Sequence, residues 1–422
     1  MSFSPIAIVG RDVLFPGASS PEALGDVVFS GRTTIREVPS ERWRVPMERV
    51  LAEGRGGPDK ARSARGGYVT DFERRFDPNR FEVPGDDLRD LDPSFLWALE
   101  LGRGALEDAG RPTGRTAAVM GLLSFPSNAL SQYAEKVWGT HPGPVDPRNR
   151  FMSGLPALLL GEALGLDGPA FSLDAACASS LYAIKLACDL LHDDSADIVL
   201  AGAVNRADDL FIHIGFTALD ALSPTGQSRP FHADADGLVP AEGAGFVALC
   251  RYEDALAQKM SIHGVIRGVG LANDGRGRGL LAPSSSGQVR SMQAAFHGSG
   301  LTPADIGLAE CHATGTPVGD GTELRSLLEV YGGRRGLPVG SVKSNFGHPI
   351  TAAGIAGLTK ILEGFRRGQR PPTRPVDRGH LLFEETTTLR LLTDAESFDG
   401  PRRACLSAFG FGGNDAHLLV EA

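Results

Sequence analysis

Residues 168–192, GPAFSLDAACASSLYAIKLACDLLH, combine a strand pattern with a helix pattern. The apolar run Ala170–Leu173 follows the turn signal Gly168-Pro169 and predicts a buried strand. Apolar residues then recur at spacings of three and four, which predicts a helix with one buried face: Leu181, Ile184, Ala187, Cys188 and Leu191. Cys177 lies at the junction of this strand and this helix.

The position of Cys177 is compatible with two roles. Unpaired backbone N–H groups converge at the N-terminus of a helix, and their partial positive charge stabilises a thiolate, the reactive form of cysteine. A free cysteine is more often a small buried side chain that packs as a hydrophobe. This stretch alone therefore leaves open whether Cys177 is a nucleophile.

The composition excludes several classes of protein. The 422-residue chain has 42% hydrophobic and 22% charged residues, as expected of a globular protein, and its net charge of −9 argues against nucleic-acid binding. The longest apolar run, residues 155–166, is too short for a membrane span and contains Glu162. The N-terminus lacks a secretory signal pattern, and five cysteines without CxxC pairs argue against a disulfide framework or structural zinc site. We therefore expect a cytoplasmic protein without a membrane span.

Strand and helix patterns alternate along the rest of the chain. Their recurrence predicts an α/β architecture with buried, largely parallel sheets, and the similar arrangement in each half suggests an internal duplication. Strands are predicted at residues 5–10, 116–123, 198–203, 246–250, 262–269, 306–311 and 337–342 and on both sides of 409–413, and helices from Pro21 and at residues 93–109, 156–164, 287–297, 321–331 and 351–367.

Three polar stretches have simple structural interpretations. Residues 53–67 are rich in glycine and charge and predict an exposed loop. Asp320 and Glu323 have the spacing of a capping box that opens the following helix. Asp234 and Asp236 lie beside a glycine, as in a calcium loop, but the other ligand positions are absent, so we expect no metal site.

Three further stretches, rich in glycine and polar residues, lie next to predicted strands. They are ECHATGTPVGDGTE (310–323), GSVKSNFGHPITAAGIAG (340–357) and SAFGFGGNDAH (407–417). They place His312 at the end of a strand, and Lys343 and His348 in a turn between a strand and a helix. A single histidine is more often structural, but open α/β sheets gather their ligands at strand ends, so several such placements indicate an active site.

The chain resembles the β-ketoacyl synthases, the decarboxylating condensing enzymes of fatty-acid and polyketide synthesis. The resemblance runs through IAIVG (6–10), FPGASS (15–20), DAACASSL (174–181), HATGTPVGD (312–320), KSNFGH (343–348) and FGFGGNDAHLLVE (409–421). PDKARSARGGYV (58–69) and HATGTPVGD resemble most the ketosynthase domains of polyunsaturated-fatty-acid synthases and related iterative polyketide synthases. The resemblance implies a thiolase-type α/β fold with five layers, αβαβα, and two duplicated halves. We expect the N-terminal half at residues 1–255, with the cysteine, and the C-terminal half at 256–422, with both histidines.

The resemblance also implies roles for the polar residues. Cys177 matches the nucleophile that takes an acyl chain from the phosphopantetheine of an acyl carrier protein, before a malonyl extender loses carbon dioxide and attacks that chain. His312 and His348 match the two histidines that donate hydrogen bonds to the thioester oxygen. Lys343 resembles the lysine that organises the site, and Glu323 resembles its acidic partner, with capping alone as the alternative.

Other residues match the family's substrate-binding positions. Backbone N–H groups of Cys177 and Phe411 would form the oxyanion hole, and Phe411 would also be the gate that separates acyl loading from malonyl entry. Thr314 and Thr316 match positions that hydrogen-bond the pantetheine arm. Candidates for the acyl pocket lie at residues 122–127 and 211–222. The resemblance implies no cofactor or metal on the chain itself.

The expected partners are an acyl carrier protein and a second copy in a homodimer, with other domains of a multidomain synthase as a further option. Two alternatives stay open: a priming or thiolase-like enzyme that uses coenzyme A thioesters, and a non-catalytic chain-length or scaffold partner. Partners of the latter kind typically lack the nucleophile. The chain departs from common family wording at Ala178, at Ala313 and at Ser94-Phe95-Leu96, which could alter a partner surface or a pocket wall.

Overall fold

The computed structural model describes residues 3–123, 153–276 and 282–422, except 40–41, 44, 53–56, 58 and 71, together with residues 131 and 148. Eleven strands of this part of the chain form one mixed sheet. They are β1 Ile6–Leu14, β2 Thr116–Leu122, β3 Ala170–Leu173, β4 Ile198–Asn205, β5 Gly243–Arg251, β6 Gly264–Asn273, β7 Leu308–Glu310, β8 Leu337–Gly340, β9 Leu389–Leu391, β10 Arg403–Gly410 and β11 Asn414–Glu421.

The main helices are α1 Pro21–Phe29, α2 Pro93–Asp108, α3 Leu155–Ala163, α4 Ser179–His192, α5 Asp209–Ala218, α6 Tyr252–Ala257, α7 Ser285–Phe296, α8 Pro317–Tyr331 and α9 Ala353–Arg367. Four-residue helices lie at Met47–Val50, Lys343–Phe346 and Leu382–Glu385. Two-residue strands also pair outside the main sheet, Arg36–Glu37 with Arg65–Gly66 and Gln369–Arg370 with Glu396–Ser397. Among the described residues, none of the helices combines the length and apolar character that a membrane crossing requires.

The order of the strands repeats in the two halves of the sheet. The full order is β9-β8-β7-β10-β11-β6-β1-β5-β4-β2-β3. When the strands of each half are numbered in chain order and β9 is left out, both halves have the order third, second, fourth, fifth, first from the edge of the sheet towards its middle. The additional strand β9 lies next to β8 at one edge. The pattern of parallel and antiparallel neighbours is also the same in both halves. The duplicated α/β architecture expected from the sequence is therefore confirmed.

The expectation of largely parallel sheets is wrong, because antiparallel pairs are as common as parallel ones. In each half the fifth strand runs antiparallel to both of its neighbours in that half. The halves also join antiparallel through their first strands, with Ile6 opposite Ile266. In the second half, β10 and β11 form a tight hairpin, a connection that only antiparallel strands permit. The strand β3 is likewise only half-buried, since it lies at the edge of the sheet.

Three hydrophobic clusters divide the fold into five layers. The central cluster contains α4 and α9 between the inner faces of the two half-sheets, including Ile184, Val199, Ile355 and Leu406. The helices α2 and α3 cover the outer face of the first half, and α7 and α8 cover the outer face of the second half. This αβαβα arrangement is the one implied by the family resemblance.

Two local expectations are wrong. Residues 61–67 do not form an exposed loop, because Ala61 and Ala64 are buried in a cluster with Trp43 and Arg65–Gly66 is a strand. The helix α8 begins at Pro317 after the N-cap position, so the capping-box interpretation of Asp320 and Glu323 fails because both lie inside the helix.

A buried ion pair connects the end of β7 with α9. Lys360 Nζ lies 2.7 Å from Glu310 Oε2, and both side chains are almost completely buried. The other Glu310 oxygen accepts a hydrogen bond of 2.6 Å from the Val342 N–H. A buried charge that loses its partner is strongly destabilising, although the intact pair contributes little net stability.

We expect Lys360→Met to lower the free energy of unfolding by about 3–5 kcal/mol, because the buried Glu310 carboxylate loses its direct ion-pair partner. Adding Glu310→Gln should recover part of this loss, since the amide oxygen can still accept from Val342. Lys185→Met, which breaks a partly exposed pair with Asp189, should cost less than about 1 kcal/mol. Urea denaturation measures all three, and equal losses at Lys360 and Lys185 would contradict this account.

Candidate active site

Cys177 lies in a tight turn between β3 and α4. Ala176 has φ of +50°, a left-handed conformation that strains a residue with a Cβ. Ser179 Oγ donates to the Ala176 carbonyl (2.7 Å) and accepts from the Ala175 N–H (2.9 Å), so one hydroxyl braces the turn from both sides. The structure therefore places Cys177 at the strand–helix junction that the sequence indicated.

The thiol of Cys177 faces His348, with Sγ 3.0 Å from Nε2. Burial raises the pKa of Cys177 to about 12, although Lys343 and the backbone N–H of Phe411 act in the opposite direction. The sequence left open whether the helix end stabilises a thiolate, and at the resting site desolvation outweighs the local positive field. Cys177 rests as a thiol beside an imidazole.

His348 belongs to the second half of the chain but is held by the first. Its backbone N–H donates to the Val239 carbonyl (2.7 Å), and its carbonyl accepts from the Ala241 N–H (2.9 Å). The preceding Gly347 has φ of +90°, and a Cβ there would lie 2.6 Å from the Val239 carbonyl oxygen, so only glycine fits. Burial, with Lys343, lowers the pKa of His348 well below its usual range, so the ring is neutral.

His312 follows β7 and lies across from His348, with ring centroids 5.2 Å apart and the rings nearly perpendicular. Glu323 fixes the backbone here, since its two oxygens accept from the N–H groups of His312 (2.8 Å) and Ala313 (2.7 Å). Asp320 accepts similarly from the Thr314 N–H at 3.1 Å. Burial, with Lys343 and His348, lowers the pKa of His312 well below its usual range.

Lys343 lies beneath the two histidines as a buried cation. Its Nζ is 3.4 Å from the Cys311 carbonyl oxygen. Burial lowers the pKa of Lys343, while the carboxylates of Glu310 and Glu323 raise it. Burial also raises the pKa of Glu323, while the His312 and Ala313 N–H groups and the nearby Lys343 ammonium favour its carboxylate form. Lys343 and Glu323 therefore interact through their charges, while the hydrogen bonds of Glu323 go to the loop that carries His312.

Phe411 lies in the turn between β10 and β11, directly above the cysteine. Its backbone N–H is within hydrogen-bonding reach of the Cys177 sulfur. A Cβ at Gly410 would lie 2.5 Å from the Ala175 carbonyl oxygen and 3.1 Å from the Cys177 nitrogen, so glycine allows the two turns to touch. The Phe411 ring is half-buried and lies 6.0 Å from the ring of Phe216.

A cavity of about 450 Å³ opens above these groups. Cys177, His312, His348 and Phe411 lie on its wall together with Thr314 and Thr316, whose hydroxyl oxygens are 3.2 Å apart. All predicted site residues except Lys343, including Glu323, thus line one cavity. Of the predicted pocket segments, residues 219–221 line the cavity, and Leu123 packs in the same cluster as Cys177, while 124–127 lie outside the described residues.

Sequence reasoning missed a pair of carboxylates, Asp274 and Asp415, in the same cavity wall. A Cβ at Gly287 would lie 2.0 Å from an oxygen of Asp274 and 2.3 Å from an oxygen of Asp415, so the two groups converge on one point. Burial and the neighbouring Asp274 raise the pKa of Asp415 to about 8. The sequence carries no signal for this pair beyond an aspartate next to the FGFGG turn.

The departures from the family's wording leave these groups in place. Ala178 packs in the central core, and Ala313 donates its N–H to Glu323. Ser94 and Phe95 are buried at the start of α2, away from the cavity. Of the two options that the sequence left open for this segment, a partner surface or a pocket wall, the pocket wall does not apply to these two residues.

Two like α/β halves with a cysteine and two histidines around one cavity define the class of condensing enzymes with the thiolase-type fold. The family model described as "Beta-ketoacyl synthase, N-terminal domain" matches residues 3–255, and that for the C-terminal domain matches residues 263–377. The chain therefore belongs to the β-ketoacyl synthase family, whose members are acyl-transferring condensing enzymes. The resemblance found in the sequence is confirmed.

Known relatives agree with this assignment. One chain of the phenolphthiocerol/phthiocerol polyketide synthase of Mycobacterium bovis is 37% identical over 443 residues, covering 99% of this chain and 22% of that protein. The chain thus spans less than a quarter of that relative's length. Among solved structures, the PfaC ketosynthase–chain length factor is 34% identical with a TM-score of 0.91, covering 99% of this chain and 48% of that one. The oxazolomycin ketosynthase domain OzmH KS7 of Streptomyces albus JA3453 is 32% identical with a TM-score of 0.89, covering 99% and 75%.

Asp415 makes the stability of the fold depend on pH. The pKa of its carboxyl is raised from 3.8 to about 8, so between these values the native state holds a proton that the unfolded chain has released. Stability therefore falls as pH rises through this window. We expect Asp415→Asn to remove this dependence. The free energy of unfolding of Asp415→Asn minus that of the unmodified protein should therefore be larger at pH 8 than at pH 5, by at least about 1 kcal/mol.

Urea denaturation at pH 5, 6.5 and 8 measures this difference. The matched control is Asp399→Asn, which changes an aspartate side chain that is 87% exposed and should leave the pH slope unaltered. A parallel pH dependence in Asp415→Asn and in the unmodified protein would show that this carboxyl does not hold the extra proton.

Proposed function

We propose that the chain catalyses the decarboxylative Claisen condensation of a malonyl thioester with an acyl group held on Cys177. The observation that carries this proposal is the 3.0 Å contact between Cys177 Sγ and His348 Nε2 at the base of a cavity that His312 also lines. A nucleophile, two neutral imidazoles and a cavity with an apolar lining are the groups that this chemistry needs.

In the loading step, the Cys177 sulfur attacks the carbonyl carbon of an acyl thioester. The new S–C bond replaces the bond to the pantetheine sulfur, which leaves with the proton that the Cys177 thiol loses. The backbone N–H groups of Cys177 and Phe411 converge near the sulfur, where they can stabilise the oxyanion of the tetrahedral intermediate. The covalent intermediate then holds one reactant in position for the next step.

In the condensation step, the malonyl thioester loses carbon dioxide, and the electron pair of the broken C–C bond forms an enolate. His312 and His348 donate N–H hydrogen bonds to the enolate oxygen, a role that suits neutral rings because both pKa values are lowered by burial. The enolate carbon attacks the acyl carbon, the bond to Cys177 breaks, and the sulfur takes up a proton. The product is a β-ketoacyl thioester extended by two carbons.

Lys343 and Glu323 support this chemistry without touching the substrate. Burial, together with the Lys343 ammonium, lowers the pKa of both imidazoles and so keeps them neutral. The Glu323 carboxylate holds the backbone of His312 in place through two hydrogen bonds. Both are therefore positioning residues.

Phe411 and the paired threonines suit the passage of a substrate arm. The ring of Phe411 lies above the nucleophile between Gly410 and Gly412, so it can act as a gate between the loading and extension steps. Thr314 and Thr316 place two hydroxyls on the cavity wall, where they can hydrogen-bond the amides of a pantetheine arm. The substrate would therefore arrive on the phosphopantetheine of an acyl carrier protein, and the chain would need no cofactor of its own.

Two alternative functions fit the site less well. A chain-length or scaffold partner needs no nucleophile, yet here Cys177 sits in a strained, braced turn in contact with an imidazole. A priming or thiolase-like enzyme using coenzyme A shares the cysteine, but the pair of neutral histidines favours decarboxylation of a malonyl group. The polyketide synthase relative supports a place within a larger synthase.

Incubation with an acyl thioester of a carrier protein should add one acyl group to the chain, as measured by intact-mass spectrometry. Cys177→Ala should show no adduct, because the sulfur is the attacking atom. His312→Ala should still load but should release carbon dioxide from malonyl carrier protein about 100- to 1,000-fold more slowly, since one enolate donor is lost.

Cys250→Ala serves as the matched control, because Cys250 is equally buried but lies in the outer core. It should load and condense like the unmodified protein. Loading in Cys177→Ala would refute the assignment of the nucleophile, and carbon dioxide release without condensation would favour the priming enzyme.

We infer a homodimer formed through β3, the edge strand of the first half. Its residues are at most half-buried, Phe171 is 37% exposed, and among the described residues β3 pairs with a strand on one side only. An exposed apolar residue on such an edge is typical of a strand that pairs with another chain. Pairing with β3 of a second copy would satisfy this edge. We also place the boundary between the two halves at residue 255, which the family-model limits of 255 and 263 support.

Light scattering after gel filtration should give twice the mass of one chain. Phe171→Lys should shift the protein towards the monomer, because it places a charge at the proposed strand contact. Leu256→Lys changes another exposed apolar residue, which is 54% exposed and lies away from β3, and it should leave the mass unchanged. A monomeric unmodified protein would contradict the inference.

A further inference from the structure

The three reactive side chains of the site also form a set of metal ligands. One ligand atom each from Cys177, His312 and His348 lies within 4.8 Å of the other two, and Cys177 Sγ is 3.0 Å from His348 Nε2. This is the only such cluster of three in the part of the chain that the structure describes. The three residues come from different elements, so only the fold brings them together.

The donor set matches the preferences of zinc. Thiolate sulfur and imidazole nitrogen bind Zn²⁺ at about 2.3 Å and about 2.0–2.1 Å. In a tetrahedron with these bond lengths, neighbouring ligand atoms lie about 3.3–3.6 Å apart. The observed spacings bracket this range, so small side-chain rotations would complete the geometry. The cavity above supplies room for water as the fourth ligand.

We propose that Cys177, His312 and His348 bind one Zn²⁺ reversibly and that the bound ion inhibits acyl loading. The inhibition rests on the proposed function, whereas the binding itself does not. On binding, the Cys177 thiol releases its proton to solvent and a sulfur–zinc bond forms, with no change of oxidation state. The sulfur is then unavailable for attack on a thioester.

Two features make this an inhibitory site and not a resident metal centre. The Nδ1 atoms of His312 and His348 are buried and have no hydrogen-bond partner among the described residues. Histidines at resident zinc sites nearly always donate the second ring N–H to a partner, and losing such partners weakens binding about 10- to 100-fold. The buried Lys343 ammonium also lies close to both rings and opposes a second cation.

The binding test uses the full chain, titrated with ZnCl2 against a competing chelator. We expect one Zn²⁺ per chain and at least a tenfold weaker affinity in Cys177→Ala and in His348→Ala, because each loses a ligand. Cys250→Ala, with a buried cysteine elsewhere, should bind like the unmodified protein. Titration with Co²⁺ should give a sulfur-to-cobalt charge-transfer band that is absent in Cys177→Ala. Unchanged zinc affinity in Cys177→Ala would overturn the proposal.

The inhibition test measures acyl loading by intact mass with and without Zn²⁺. Zinc should slow loading at least tenfold and a chelator should restore it, whereas Mg²⁺, which prefers oxygen ligands, should have no effect. A chain already acylated on Cys177 should lose the charge-transfer band with Co²⁺. Loading that proceeds unaltered at saturating zinc would overturn the proposal and leave the condensing function intact. Zinc binding in a chain that never loads would refute the function and support the metal site.

Discussion

The active site depends on the close packing of α4 against α9 in the middle layer. A Cβ at Gly354 would lie 2.6 Å from the Ser180 hydroxyl oxygen, so glycine is needed for the two helices to approach this closely. The same hydroxyl accepts a hydrogen bond from the Ile355 N–H at 3.3 Å. Cys177 lies in the short turn Ala176–Ala178 that leads into α4, and the turn after His348 leads into α9. The packing of two helices therefore sets the distance between the sulfur and the imidazole.

The duplication explains why the site lies where it does. Each half contributes one central helix and the strand ends next to it, so the catalytic groups of the two halves meet at the interface between them. His348 is held by backbone hydrogen bonds to a segment of the first half, and Thr351 Oγ1 donates to the Val204 carbonyl at 2.7 Å. Neither half alone can supply the nucleophile and its two imidazoles.

Much of this arrangement could be predicted from the sequence. Apolar periodicity gave the bounds of α2, α7 and the strands β2 and β4 to within a few residues, because those elements have one continuous buried face. Cys177, His312 and His348 each followed a predicted strand, so their convergence at strand ends could be expected. The family resemblance then supplied roles that periodicity cannot show.

The parts that could not be predicted depend on contacts between distant residues. The spacing of Asp320 and Glu323 fits a capping box as well as an inward-facing pair, and only the start of α8 at Pro317 decides between them. The partners in Glu310–Lys360 and in Asp274–Asp415 lie on different elements, so local sequence carries no sign of either pair. The raised pKa of Cys177 could not be predicted either, because it depends on how deeply the thiol is buried, and burial is a property of the assembled fold.

The burial of the site supports its condensation chemistry and also makes it a possible target of an inhibitory metal ion. Removing water lowers the pKa of both histidines and leaves each ring with one N–H and one free lone pair. A neutral ring can donate its N–H to an enolate oxygen, and in its other tautomer the same nitrogen can bind a borderline-soft cation through its lone pair. Lys343 places a fixed positive charge beside the rings, which favours the first role and weakens the second. The Lys343 ammonium therefore makes a site that can bind either an enolate or a metal ion favour the enolate.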